Sequence, residues 1–267
     1  MPYAAGLWYQ FAGSDAAETV ILSAGLGGTA GYWAHNLEAF VPHFRVLLYD
    51  HRGTGRSDRA LPERLTVEDM AEDVAALMEE IGLERAHFVG HAAGGLIGLA
   101  LAAARPDLVN RLVVVNGWAR LDPYTARCFD VRLALLRDSG PETYLKAQPI
   151  FLYPPYWVSE HSARLDAEAA EQLAHFPGAA TVEKRVAAVR AFDIVDRLHR
   201  IEAPVQLLAA LDDALVPMQA SRALLAGLPN ARRINHLIGG HASNVTEPQH
   251  FHDRVLPWLA GEDQIEE

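Results

Sequence analysis

The sequence predicts an α/β fold, with a mostly parallel central sheet flanked by helices and a helical cap inserted after the strand that ends near Asn116. Three observations carry this reading. Short apolar runs at residues 19–23, 44–49, 86–89, 112–115, 204–210 and 231–237 have the length and β-branched content of buried strands. Most of them run into glycine-rich turns, and in parallel sheets ligands sit at such C-terminal strand ends. Between Leu121 and about Arg200 the rhythm stops: the segment is helix-like, broken by Pro149, Pro154, Pro155 and Pro177, and shows no strand pattern. The expected division is a core of residues 1–120 and 201–262, a cap of residues 121–200 and an acidic tail at 263–267.

Bulk properties narrow the function. A chain of 267 residues is long enough for one large domain with an insertion. The formal charge is −11 and no basic patch stands out, which argues against nucleic acid and for a small-molecule partner. An acidic surface repels anions at long range, so any anion site must be local. The single cysteine, Cys128, excludes an intrachain disulfide and a CxxC pair. No secretory signal and no run of 18 apolar residues is present, so a cytoplasmic protein without a membrane partner is expected, and a homodimer is compatible with the sequence.

Taken in order, residues 3–12 alternate loosely and read as a first strand. The second, 19–23, ends in Ala24-Gly25-Leu26-Gly27-Gly28, where Gly25 could open a turn and Leu26 offer a backbone N–H; a plain glycine turn is the competing reading. Residues 44–49 lead into Asp50-His51-Arg52-Gly53-Thr54-Gly55-Arg56-Ser57, a D-x-R-G-x-G-x-S pattern whose charges read as structural. Thr66-x-x-Asp69 resembles a capping box ahead of a helix with Val67, Met70, Val74, Leu77 and Ile81 at helical spacing and Gly82 as its stop. The run at 112–115 ends in Asn116-Gly117-Trp118, which places Asn116 and Trp118 among candidate pocket residues. Cys128 reads as a packed small side chain, because nothing nearby would lower its pKa. Pro248 onward reads as a closing helix.

The informative stretch lies between the strand at 86–89 and the helix at 93–104. Gly90-His91-Ala92-Ala93-Gly94 has small residues at both ends, which lets a strand turn sharply into a helix and pushes the middle residue outward. That is the nucleophile elbow of the α/β-hydrolase fold, with Ala92 where serine is expected. Downstream, Asp212-Asp213-Ala214-Leu215-Val216-Pro217 follows a strand and supplies the acid, Asp213 rather than Asp212. Gly239-Gly240-His241 follows the last strand and supplies the histidine. The order elbow, aspartate, histidine is that of this fold.

Without a serine hydroxyl, three parts of the machinery remain. Asp213 fixes the tautomer of His241, and His241 can activate water as a general base. The Leu26 and Ala93 N–H groups can form an oxyanion hole. Gly25, His91, Asn116 and Trp118 complete the candidate pocket. Such a site suits a substrate that already breaks down by itself. The competing readings are an engineered serine-to-alanine esterase, a lyase or oxygenase on the same scaffold, and a catalytically dead hydrolase that binds a small molecule. No histidine–carboxylate cluster has metal-ligand spacing and no dinucleotide fingerprint is present, so no metal or cofactor is expected.

Several phrases go beyond the fold: S-A-G-L-G-G-T-A-G-Y-W (23–33), V-G-H-A-A-G (89–94), V-N-G-W (115–118), R-C-F-D-V-R (127–132), A-Q-P-I-F-L-Y-P (147–154), L-A-H-F-P-G (173–178) and G-G-H-A-S-N-V-T-E-P (239–248). Together they resemble the α/β-hydrolases of the Rut pathway of uracil (pyrimidine) degradation, from about residue 20 to 250 and through the cap. The resemblance implies that alanine is native at the elbow. It also implies hydrolysis of a small, labile anion: carbamate to carbon dioxide and ammonia, or alternatively 3-aminoacrylate to malonic semialdehyde and ammonia.

Overall fold

A computed structural model describes residues 2–236 and 238–262, with 232–236 described by backbone alone. The tail at 263–267 lies outside the described residues. The strands are β1 (Tyr3–Ala4), β2 (Leu7–Ala12), β3 (Thr19–Ser23), β4 (Arg45–Tyr49), β5 (Ala86–His91), β6 (Val109–Val115), β7 (Val205–Ala210) and β8 (Ala231–His236). They form one sheet in the order β1-β2-β4-β3-β5-β6-β7-β8, antiparallel at β1–β2 and β2–β4 and parallel everywhere else. The helices are α1 (Ala34–Phe40), α2 (Val67–Glu80), α3 (Ala93–Ala104), α4 (Pro123–Leu152), α5 (Pro155–Glu160), α6 (Ser162–Ala174), α7 (Ala179–Ala191), α8 (Gln219–Gly227), α9 (Ser243–Thr246) and α10 (Pro248–Leu259).

The first strand of the sequence reading divides into two. Ala5 and Gly6 both adopt positive φ (51° and 76°) and turn the chain back as a tight hairpin. The central strands are apolar throughout because both faces are covered. Ile21, Leu47, Phe88, Leu112 and Val114 pack on the α2–α3 side, while Val20, Leu22, Val89, Val113 and Val115 pack against Trp33, Phe40, Phe251 and Trp258 on the other. The capping box of α2 is formed: Thr66 Oγ1 accepts from the Asp69 N–H at 3.1 Å, and Asp69 accepts from the Thr66 N–H at 2.8 Å.

β6 and β7 are neighbours in the sheet although residues 116–204 separate them, and α4–α7 lie in that excursion. Asp122 caps α4 through the Tyr124 N–H at 2.7 Å, and Gly140 (φ 83°) followed by Pro141 kinks it. The neck is fastened where the chain leaves and returns: Ile194 N–H donates to the Ala119 carbonyl at 2.9 Å and Arg120 pairs with Asp193 at 2.6 Å. Among the described residues no helix is long and apolar enough to cross a membrane.

The D-x-R-G-x-G-x-S segment is structural, in more than one direction. Buried Asp50 accepts from the Ala30 N–H (2.8 Å) and from the Arg56 N–H (2.9 Å) and side chain (2.8 Å). Ser57 Oγ donates to the Asp50 carbonyl and accepts from the Trp8 N–H. Arg52 reaches Asp73 on α2 at 2.8 Å and Asp58 at the end of its own turn at 3.5 Å. These bonds fix the loops after β3 and β4 beside the elbow.

The elbow depends on backbone contact that only glycine permits. A Cβ at Gly94 would lie 2.3 Å from the Ser23 carbonyl oxygen, and one at Gly90 would lie 2.3 Å from the Gly94 carbonyl carbon. Gly94→Ala is expected to lower unfolding stability by roughly 1–3 kcal/mol, read from urea denaturation. An unchanged midpoint would show that β3 and α3 can separate freely.

Candidate active site

β5 delivers Ala92 to the top of the sheet with φ 47° and ψ −112°, a strained pose for a residue with a side chain. It is held because the Ala92 N–H donates to the Val115 carbonyl at 2.8 Å and α3 begins at the next residue. The geometry that would present a nucleophile is intact, and a methyl group stands there. As the first residue of α3, Ala93 has no intrahelical acceptor for its N–H. The half-buried Leu26 sits in the loop after β3. Among the described residues neither N–H has a hydrogen-bond partner.

His241 Nδ1 donates to Asp213 Oδ2 at 2.8 Å, with the two side chains only 2% and 1% exposed. Donation from Nδ1 leaves Nε2 as the basic nitrogen. The second Asp213 oxygen accepts the Leu215 and Val216 N–H groups at 2.7 and 2.8 Å, so the carboxylate is fixed on three sides. Asp212 does different work. Its two oxygens accept from the Gly239 and Gly240 N–H groups at 3.1 and 3.0 Å, shaping the loop that carries the histidine. Both glycines have positive φ (136° and 66°). One aspartate holds the ring and its neighbour holds the main chain.

His91 and Asn116 converge on the backbone of His241. His91 Nε2 donates to the His241 carbonyl at 3.0 Å, and Asn116 Nδ2 donates to the same oxygen. Asn116 also accepts from the Ala210 N–H at 3.3 Å, and its own φ is 52°. The His91 ring lies 4.8 Å from the His241 ring, edge to face, and stacks on Tyr32 at 4.8 Å. Burial, and then the nearby His241 charge, push the His91 pKa well below the ordinary histidine value, so its ring is neutral and Nδ1 is left as a buried nitrogen without a hydrogen-bond partner among the described residues. Gly25 makes room for this ring, since a Cβ there would meet His91 Nδ1 at 2.8 Å. Trp118 is buried against Phe129 of the cap, and its Nε1 has no hydrogen-bond partner among the described residues.

The cap closes over the site through polar contacts that the sequence reading did not single out. Thr125 Oγ1 donates to the Leu215 carbonyl at 2.8 Å, and the Ala242 N–H donates to the Leu152 carbonyl at 3.0 Å. Cys128 is buried, its thiol pushed up in pKa by burial, and it packs 3.7 Å from the Ala214 carbonyl. Two cap arginines, Arg132 and Arg185, are buried without a carboxylate partner among the described residues. No motif marks them, because a buried arginine in a helix looks like any surface cation until the fold places it. Among the described residues no group of three or more histidine, cysteine or acidic side chains could hold a metal ion.

A nucleophile-elbow turn, a buried histidine–aspartate pair after β7 and β8, and a helical excursion after β6 define an α/β hydrolase. The profile of the α/β-hydrolase fold family matches residues 18–248. Among solved structures, the enol-lactonase from Burkholderia xenovorans superposes with a TM-score of 0.87 at 27% identity, covering 97% of this chain and 100% of that one. Closer relatives specify the branch. "Putative carbamate hydrolase RutD" from Caulobacter sp. is 50% identical over 259 residues, 96% of this chain and 97% of the relative. The protein of the same name from Agrobacterium fabrum is 48% identical over 93% of this chain and 95% of its own. The chain belongs to the RutD family of α/β hydrolases.

Two outcomes follow from this geometry. Asp213→Asn removes the acceptor that fixes the His241 tautomer and is expected to lower turnover on the order of 10²–10⁴-fold. Asp212→Asn leaves the ring contact in place and is expected to cost mainly stability, roughly 1–3 kcal/mol. Ammonia release beside urea unfolding separates them, and the reverse order would contradict the division. The second concerns pH. His91 and His51 are both held neutral by burial, with pKa values well below the ordinary one. Groups of this kind bind more protons unfolded than folded, so the stability they confer is present above about pH 6.5 and is lost as pH falls below it. Urea midpoints should therefore drop between about pH 6.5 and 5, and a flat profile would show these rings protonating in place.

Proposed function

We propose that this hydrolase assists the breakdown of carbamate, in the cytoplasm and in pyrimidine catabolism, through His241 and Asp213 without a covalent intermediate. The observation that carries the reading is the buried 2.8 Å His241–Asp213 contact standing beside an alanine in a fully formed elbow. The base and its orienting acid are in place, and the group that would be acylated is a methyl. The names of the RutD relatives point to the same substrate.

In the proposed reaction, carbamate seats one carboxylate oxygen on the Leu26 and Ala93 N–H groups. His241 Nε2 takes a proton from water as the oxygen attacks the carbamate carbon. The C–N bond breaks with delivery of that proton to nitrogen, so carbamate and water become bicarbonate and ammonia, and bicarbonate, on taking a proton from solvent, loses water to give carbon dioxide. Asp213 stabilises the transient imidazolium. General acid–base help is worth on the order of 10²–10⁴-fold and an oxyanion-hole donor on the order of 10²–10³-fold. Factors of that size matter for a substrate that decomposes spontaneously and fall short for an unactivated amide.

Ammonia release is the test, from carbamate and separately from enzymatically generated 3-aminoacrylate, with the uncatalysed rate subtracted. The expected result is a protein-dependent rate with carbamate. A rate with aminoacrylate alone would transfer the assignment to that substrate. Background rates with both, accompanied by saturable binding, would make the protein a small-molecule binding module.

A further inference from the structure

We infer that Arg185, a residue of cap helix α7, supplies the local positive charge that draws an anionic substrate to the oxyanion loop. The residue is only 1% exposed. Nε donates to the Leu26 carbonyl at 3.0 Å, Nη1 to the Arg52 carbonyl at 3.4 Å and Nη2 to His51 Nδ1 at 2.9 Å. All three acceptors are neutral. His51 cannot serve as a counter-ion: its Nε2 faces Ser23 Oγ at 3.2 Å, and Ser23 in turn bonds Tyr49 Oη at 2.7 Å, so the ring is a neutral link in a neutral chain.

A buried cation without a carboxylate is costly, and a protein of charge −11 has acidic groups to spare for neutralising it. The chain instead builds a slot for the bare charge. Gly28, at φ 73°, lies where a Cβ would stand 2.7 Å from Nη2 and 2.8 Å from Thr54 Oγ1. The slot opens on the residue whose N–H is the proposed oxyanion donor: Arg185 grips the carbonyl of Leu26 while the N–H of Leu26 is offered to substrate. The charge therefore sits one residue behind the hole, in a low-dielectric setting where its field is weakly screened. The protein's surface repels anions and this guanidinium compensates locally. Arg185 acts through Leu26 and is a positioning and electrostatic residue, and because it comes from the cap it ties cap closure to the completeness of the hole. The inference rests on the proposed use of Leu26 and on a small anionic substrate.

The test uses acetate and acetamide as non-reacting probes, titrated calorimetrically so that turnover is not required. Wild type is expected to bind the anion more tightly than its neutral isostere by roughly 10–30-fold. Arg185→Gln, which keeps hydrogen-bonding capacity and loses the charge, should abolish that preference, and Arg185→Lys should retain most of it. Equal effects of Gln and Lys would reduce Arg185 to a clamp and overturn the inference, as would equal binding of the two probes by wild type. Arg132→Gln is the competing arm, since Arg132 is the other buried cap cation. Preference retained in that variant supports Arg185 even where Arg185→Gln fails to fold, and preference lost there assigns the charge to Arg132. Carbamate turnover absent alongside an intact, Arg185-dependent preference for acetate would sink the proposed reaction and leave this inference standing.

Discussion

The carbonyl of His241 accepts two buried donors, His91 from the elbow and Asn116 from the end of β6. Much of the site depends on this shared oxygen. It ties the loop after β8 to β5 and β6, and through the Ala210 N–H on Asn116 to β7 as well. The imidazole is thereby placed from behind through its main chain, while Asp213 fixes it in rotation through Nδ1. A histidine with this much support needs no hydroxyl to define its position, so the arrangement persists when the elbow carries a methyl group. Both donors are themselves constrained. Asn116 takes a positive φ to aim its amide, and His91 occupies space that Gly25 leaves open. The neutrality of His91 matters as well, since a protonated ring 4.8 Å from His241 would oppose the imidazolium of the proposed reaction.

The elbow shows what is retained when its usual chemistry is absent. Ala92 keeps a strained backbone pose whose cost is met by the Val115 carbonyl, by α3 and by the glycine crossing with Ser23. That strain also serves the following peptide, which presents the Ala93 N–H at the helix start. In the proposed reaction the elbow supplies half of an anion receptor although it carries no nucleophile. The other half, at Leu26, is held by the cap through Arg185. The loop proposed to bind the anion is thus hydrogen-bonded to helix α7.

Much of this was legible in the sequence, for reasons that differ by element. β3 and α3 fall where the apolar runs place them, because continuous burial and tight glycine contacts leave few alternatives. The choice of Asp213 over Asp212 as the partner of His241 follows from motif position, and the structure adds the separate task of Asp212. The hairpin at Ala5–Gly6 was not legible, since a positive φ at alanine leaves no mark in composition. α1 and α8 are too short, at 7 and 9 residues, for periodicity to announce them. The roles of His91 and Asn116 beneath His241 were hidden, because proximity to a strand end shows that a side chain is near the site and not which atom it serves. Arg185 was invisible for the same reason: only the packing of α7 onto the β3 loop turns it from a helix-surface cation into a buried charge.

In the proposed reaction a histidine–aspartate pair turns over a labile C–N substrate with alanine at the elbow. The most direct measurement is the background-corrected rate of ammonia release from carbamate by wild type and by His241→Gln, with folding of both verified. The expected wild-type rate lies above background and falls on the order of 10²–10⁴-fold in the variant. Equal rates in the two proteins would contradict the proposed reaction.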